Sequence, residues 1–166
     1  MKQPIIAVCG AGDAAAASLQ LAHEVGSRIA AAGAIMICGG HGGVMQAACA
    51  GAKAAGGLTI GVLPGTDRHA ANPFVDIPIV TGMGQARNLI IVGTAQAVIA
   101  IGGEYGTLSE IALALKIGVP VVGLHTWQLA KAAQQVADPI VRAGSAVEAV
   151  RLAMELARGS MLPLAT

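Results

Sequence analysis

Ala97-Val98-Ile99-Ala100-Ile101 runs directly into Gly102-Gly103-Glu104-Tyr105-Gly106-Thr107-Leu108-Ser109-Glu110. The first five residues are uniformly apolar, the signature of a parallel strand buried on both faces. The residues after Glu110, Ile111-Ala112-Leu113-Ala114-Leu115-Lys116, continue at helical spacing. A buried strand that empties through glycines into a helix points backbone N–H groups outward at the helix N-terminus, where they can hold a phosphate.

The same grammar repeats outward from this stretch. Ile5-Ile6-Ala7-Val8-Cys9 leads into Gly10-Ala11-Gly12, and a helix follows with Leu21, Val25 and Ile29 on one face and Asp13 as its expected N-cap. Ala34 to Cys38 reads as a second strand, Gly39-Gly40-His41-Gly42-Gly43 as its exit loop, and Val44 to Ala55 as the next helix, ended by Gly56-Gly57. Leu58 to Leu63 is a third strand that stops at Pro64-Gly65, before the polar run Thr66-Asp67-Arg68-His69. Asp76 to Val80 contains Pro78 and so predicts an edge strand or a bend. Met83 to Thr94 predicts one helix carrying Arg87, Val119 to Leu124 a further strand, and Ser145 to Arg158 a terminal helix capped by Ser145.

Strand and helix alternate without linker, repeat or low-complexity tract. The chain therefore reads as one domain over residues 1–166, an α/β Rossmann-like, doubly wound parallel sheet. In such sheets ligands bind outside the carboxyl ends of the strands, where strand order reverses. Four glycine-rich exit loops are candidates there: Gly10 and Gly12; Gly40, His41, Gly42 and Gly43; Pro64-Gly65 with Arg68 beyond it; and Gly102 and Gly103, continued by Gly106 and Thr107.

Composition bounds the partners. The 166 residues are 55% hydrophobic and 11% charged, with 2% aromatics, which predicts thin, closely packed layers and leftover apolar surface. A homodimer or a dimer of dimers, built on the helices around the glycine turn, is expected to cover that surface. A formal net charge of +1 gives no basic face for nucleic acid. Residues 29–52 carry no charged side chain, but Gly39, Gly40, Gly42 and Gly43 interrupt the run repeatedly, and no membrane span is expected. Met1-Lys2-Gln3-Pro4 has no basic start or small-residue cleavage site, so the expectation is a soluble cytoplasmic protein. Cys9, Cys38 and Cys49 are odd in number, lack metal-ligand spacing and read as buried reduced thiols, with no structural metal and no cofactor.

Two familiar nucleotide readings fail on the residues. After Gly10-Ala11-Gly12 the third glycine of the dinucleotide fingerprint is missing, and Cys38-Gly39-Gly40 stands where a ribose-binding acid belongs. The Walker lysine is absent too.

The motif Gly102-Gly103-Glu104-Tyr105-Gly106-Thr107-Leu108-Ser109-Glu110 resembles that of the LOG family, the lonely-guy-type nucleotide phosphoribohydrolases often mislabelled lysine decarboxylases. That family has proline, glycine, glycine, a variable residue, glycine, threonine and then a glutamate. Here Gly102 replaces the proline and Glu104 the second glycine. Arg87 looks like the family's active-site arginine, with Asn88 in place of the lysine that commonly follows it, and Gly39 to Ala48 resembles its second glycine loop. The resemblance spans Ile5 to Leu124, and the departures look closest to a LOG-like subgroup that includes molybdenum cofactor carrier-like proteins.

The resemblance implies a nucleoside 5′-monophosphate as substrate, cleaved at its N-glycosidic bond to free base and ribose 5-phosphate. In that reading Glu110 stabilises an oxocarbenium-like sugar, Arg87 pairs with the phosphate or with Glu110, and the N–H groups of Gly106 to Ser109 hold the phosphate with Thr107. The alternative is a carrier or sensor of a nucleotide or phosphorylated pterin, with Glu104 and Asn88 marking loss of the hydrolytic arrangement. A plain structural ion pair between Arg87 and Glu110 competes with both. His41 and Arg68 are candidate ligand contacts; His23 and His125 carry no such argument.

Overall fold

Seven parallel strands form one sheet in the order β4-β3-β2-β1-β5-β6-β7 in the computed structural model, which describes residues 2–132 and 137–159. Before the sheet's midpoint the elements are β1 (Ile5–Gly10), α1 (Ala16–Ala31), β2 (Ile35–Cys38), α2 (Val44–Ala54), β3 (Thr59–Leu63) and β4 (Ile77–Val80). After it come α3 (Asn88–Thr94), β5 (Ala97–Ile101), α4 (Tyr105–Lys116), β6 (Val121–Leu124), β7 (Val141–Arg142) and α5 (Ala146–Ala157). The expected single Rossmann-like α/β domain is what the chain forms.

Alternation along the strands divides the core into two layers. Ile6 and Val8 of β1, with Ile99 and Ile101 of β5, face α1, α2 and α5 through Val25, Ile29, Ala48 and Ala153. Ala7, Cys9, Val98 and Ala100 face the other way, onto Ile91 and Val92 of α3 and Ile111 and Ala114 of α4. The small side chains expected from composition act where α1 meets α2. A Cβ on Gly26 would stand 1.9 Å from the Ala48 carbonyl oxygen, and one on Gly51 equally close to that of His23. These two backbones are nearly in contact, so no side chain fits between them.

Most predicted elements are present within a residue or two at each end. β4 lies at the sheet edge, where Pro78 removes no ladder hydrogen bond. Ser145 caps α5 by accepting from the Glu148 N–H at 3.2 Å. Two expectations need correction, and one element was not expected. Asp13 does not cap α1, which starts at Ala16 behind Ala15 with no side-chain cap. The helix expected over 83–94 is instead a 3₁₀ turn, Gly84–Arg87, followed by α3; Gly84, with φ of 57°, lies outside the α-helical region. β7, two residues long, has too little pattern to read from sequence.

Cys9, Cys38 and Cys49 are all free and buried, as expected. No helix among the described residues is long and apolar enough to cross a membrane. Met83, Leu89 and Ile117 remain exposed around α3 and the end of α4, the region where the expectation of a homodimer falls.

Candidate functional site

Strand order reverses between β1 and β5, which are paired from Ile6↔Ala97 to Gly10↔Ile101. Their exit loops diverge beyond Gly10 and Ile101 and open a cleft of about 350 Å³. It is lined by Gly10, Gly12, His41, Arg87, Gly106, Thr107 and Glu110 from the predicted set, together with Ala11, Asp13, Met45, Gln85, Asn88 and Glu104. A hollow of about 830 Å³ opens near Pro4, Gly33 and Gln96, at the amino ends of the strands, but gathers no comparable group of buried polar side chains.

Arg87 and Glu110 are 6% and 7% exposed, so each charge has lost almost all of its water. Arg87 Nη1 stands 4.0 Å from Glu110 Oε1, an attraction without a hydrogen bond. Nη1 donates instead to Asn88 Oδ1 at 2.9 Å, and Arg87 Nε has no hydrogen-bond partner among the described residues. Burial pushes the Glu110 carboxyl up to about 7, and the Arg87 charge offsets only part of that. Burial likewise lowers the Arg87 guanidinium, although Glu110 opposes the shift. The His41 imidazole is lowered by burial and by Arg87, which keeps it neutral at pH 7.

Local sequence explains the placement. Gly39 leaves room for the guanidinium: a Cβ there would lie 2.7 Å from both Arg87 Nη1 and Nη2. The Thr107 side chain packs onto Gly103, where a Cβ would meet Thr107 Oγ1 at 2.3 Å. α4 begins at Tyr105 behind an uncapped Glu104, so its first-turn amides have no intrahelical acceptor. Leu108 N–H is already bound to the Glu104 carbonyl at 3.0 Å. The amides available at the cleft are therefore those of Gly106 and Thr107, a shorter set than the expected Gly106 to Ser109.

The remaining candidates lie outside the cleft lining. Gly40, Gly42 and Gly43 shape the loop that carries His41, and Gly102 and Gly103 form the turn beneath α4. Arg68 is exposed, in a 3₁₀ turn over Arg68–Ala70. Asp13 lines the cleft beside Gly12 instead of capping α1, and its place directly after the Gly10-Ala11-Gly12 loop is the sequence signal for that role. Gln85 lies two residues before Arg87 and carried no signal. Among the described residues, no three His, Cys, Asp or Glu side chains come together as a metal site would require.

The site can hold an anion between Arg87 and the α4 N-terminus, beside a carboxyl group that burial shifts toward its neutral form. Solved structures with the same arrangement of elements include the molybdenum cofactor binding protein of Rippkaea orientalis, which is 38% identical with a TM-score of 0.84, over 94% of this chain and 98% of that one. The molybdenum cofactor carrier protein of Chlamydomonas reinhardtii is 40% identical with a TM-score of 0.82, over 93% and 98%. The cytokinin riboside 5′-monophosphate phosphoribohydrolase of Mycobacterium tuberculosis is 38% identical over 106 residues, which are 62% of this chain and 57% of that enzyme. The LOG-like resemblance is thus upheld by full-length structural neighbours and by a partial match to an enzyme. The family model that covers residues 3–151, and with them every strand and the whole cleft, is that of the SLOG cluster4 family, to which this chain belongs.

Proposed function

We propose that the cleft binds a phosphorylated pterin-type molecule of the molybdenum cofactor class and that the protein is its carrier. The observation that carries this reading is the state of Glu110. Burial shifts that carboxyl toward its neutral form, and a neutral acid stabilises an oxocarbenium ion poorly. It is also less repulsive to a bound phosphate dianion than a full carboxylate. In this reading Arg87 and the amides of Gly106 and Thr107 supply the phosphate contacts, and His41, which lines the same cleft and is shifted toward its neutral form, hydrogen-bonds a heterocycle or sugar. The likeness to two molybdenum cofactor proteins over nearly their whole length supports the same reading.

A second reading, hydrolysis of a nucleoside 5′-monophosphate, is favoured by the retained Gly106, Thr107 and Glu110 and by the partial match to the mycobacterial enzyme. One experiment separates them. The protein is mixed anaerobically with molybdenum cofactor released from a purified molybdoenzyme and, in parallel, with a panel of nucleoside monophosphates. Co-elution of the cofactor, lost in Arg87→Ala, without ribose 5-phosphate from any nucleotide is the expected result. Ribose 5-phosphate released by the wild type and not by Glu110→Ala would establish the hydrolase instead.

A further inference from the structure

The guanidinium of Arg87 has five N–H donors, yet Asn88 Oδ1 is its one hydrogen-bond acceptor among the described residues. Asn88 is itself only 2% exposed and uses its other end as well. Its Nδ2 donates to Ser109 Oγ at 2.8 Å, and the Ser109 hydroxyl donates to the Gly106 carbonyl at 2.7 Å. Three hydrogen bonds thus connect the guanidinium to the residue whose amide opens the cleft. We propose that Asn88 is a positioning residue, which through Ser109 ties Arg87 to the first turn of α4 and holds it away from Glu110.

The geometry gives this relay a specific consequence. Nη1 sits 4.0 Å from Glu110 Oε1 while its proton is directed to Asn88. With the amide gone, Nη1 has no acceptor, and the nearest compensating group is the Glu110 carboxylate. The guanidinium then closes into a direct, charge-assisted pair, shorter and stronger than the present contact. That pair consumes both groups: Glu110 becomes a full carboxylate, and Arg87 is no longer free for an incoming anion. A neutral amide at position 88 thereby keeps the cleft's one buried cation among the described residues underused, which is the condition an anion site needs.

The inference rests on reading the cleft as an anion site, and its test is arranged so that either can fail alone. The ionisable groups around Glu110 are Arg87, the Cys9 and Cys38 thiols below it, and His41, Asp13 and Glu104 along the cleft. None of these is altered in the variants. Glu110 is titrated by carbon-detected NMR in the ligand-free wild type, Asn88→Ala and Ser109→Ala, and inorganic phosphate binding is measured by calorimetry in the same three proteins. The expected result is a downward shift of the Glu110 midpoint by about one pH unit or more in Asn88→Ala, with phosphate bound about tenfold more weakly. Ser109→Ala, which keeps the amide and frees it to rotate, shifts both in the same direction by less; it also carries the test if Asn88→Ala does not fold. An unchanged midpoint and unchanged phosphate affinity, with only the melting temperature lowered, would overturn the positioning role. Shifted midpoints in a protein that binds no phosphate at all would uphold it and overturn the anion-site reading.

Discussion

Two glycine-rich loops leave the carboxyl ends of β2 and β5, the strands on either side of β1, and the structure uses them in opposite ways. The loop from Gly39 to Gly43 is filled by the protein itself. Gly40 N–H donates to Cys38 Sγ at 3.3 Å, Asn72 Nδ2 donates to the His41 carbonyl at 2.9 Å, and Val44 N–H donates to the Ala11 carbonyl at 3.0 Å. The turn from Gly102 to Gly106 is held from behind by Gly102 N–H to the Leu124 carbonyl at 2.9 Å and by Thr126 to the Gly102 carbonyl, and from within α4 by the Leu108 N–H and the Ser109 hydroxyl. Its forward face, the start of α4, is open to the cleft. Glycine in the first loop permits close contact between protein segments, whereas glycine in the second permits a left-handed turn beneath a helix N-terminus without a side-chain cap.

The sharpest way to break this comparison is Gly43→Ala. A Cβ there would lie 2.3 Å from the Ala11 carbonyl oxygen and 2.4 Å from that of Gly12, on a backbone with φ of 63°. Both neighbours are main chain and cannot rotate away. The expected loss is about 4 kcal/mol of unfolding free energy, read as a lower denaturant midpoint at unchanged slope. A loss below about 1 kcal/mol would mean that the two loops are equally loose.

Glu110 sharpens the comparison from the cleft side. Its folded carboxyl titrates at about 7, above the ordinary range of an unfolded glutamate. Between those values the folded state binds more protons than the unfolded one, so stability falls as pH rises and levels off above 7. The contribution is on the order of 3 kcal/mol, fully present below about pH 4 and lost by about pH 8. Glu110→Gln is expected to flatten this part of the stability curve, measured by urea unfolding at stepped pH. An undiminished slope in the variant would assign the dependence to other groups.

Much of this was legible beforehand because parallel strands buried on both faces announce themselves as apolar runs: β5 was read to the residue. The glycine loops marked the carboxyl ends, and the resemblance carried by Gly106, Thr107, Glu110 and Arg87 brought together four residues that do line one cleft. What sequence does not encode is which side of a loop a glycine serves. Gly40 and Gly43 read as positions where a ligand approaches the backbone, yet a Cβ there would meet Leu63 and Ala11, as one on Gly39 would meet Arg87. Asn88 read as a departure from a motif, because its two hydrogen bonds reach residues that only the packing of α3 on α4 brings near. Arg68 read as a cation near the crevice from its loop alone, since a loop's direction is set by tertiary contacts rather than by its own residues.

Gly102→Ala is the smallest change and the other half of the comparison. Gly102 has φ of 53°, like Gly43 in the left-handed region, but a Cβ there would meet nothing within 4 Å. The clash is absent, so only the left-handed backbone is penalised, about 1 kcal/mol. The N–H to the Leu124 carbonyl is retained, because alanine keeps its donor. Equilibrium unfolding of the two alanine variants side by side should therefore separate them by about 3 kcal/mol, the difference between a backbone clash and a backbone angle. If Gly102→Ala proves as damaging as Gly43→Ala, the turn beneath α4 is packed from the front as well as from behind, and a helix N-terminus covered in that way has no place for a phosphate.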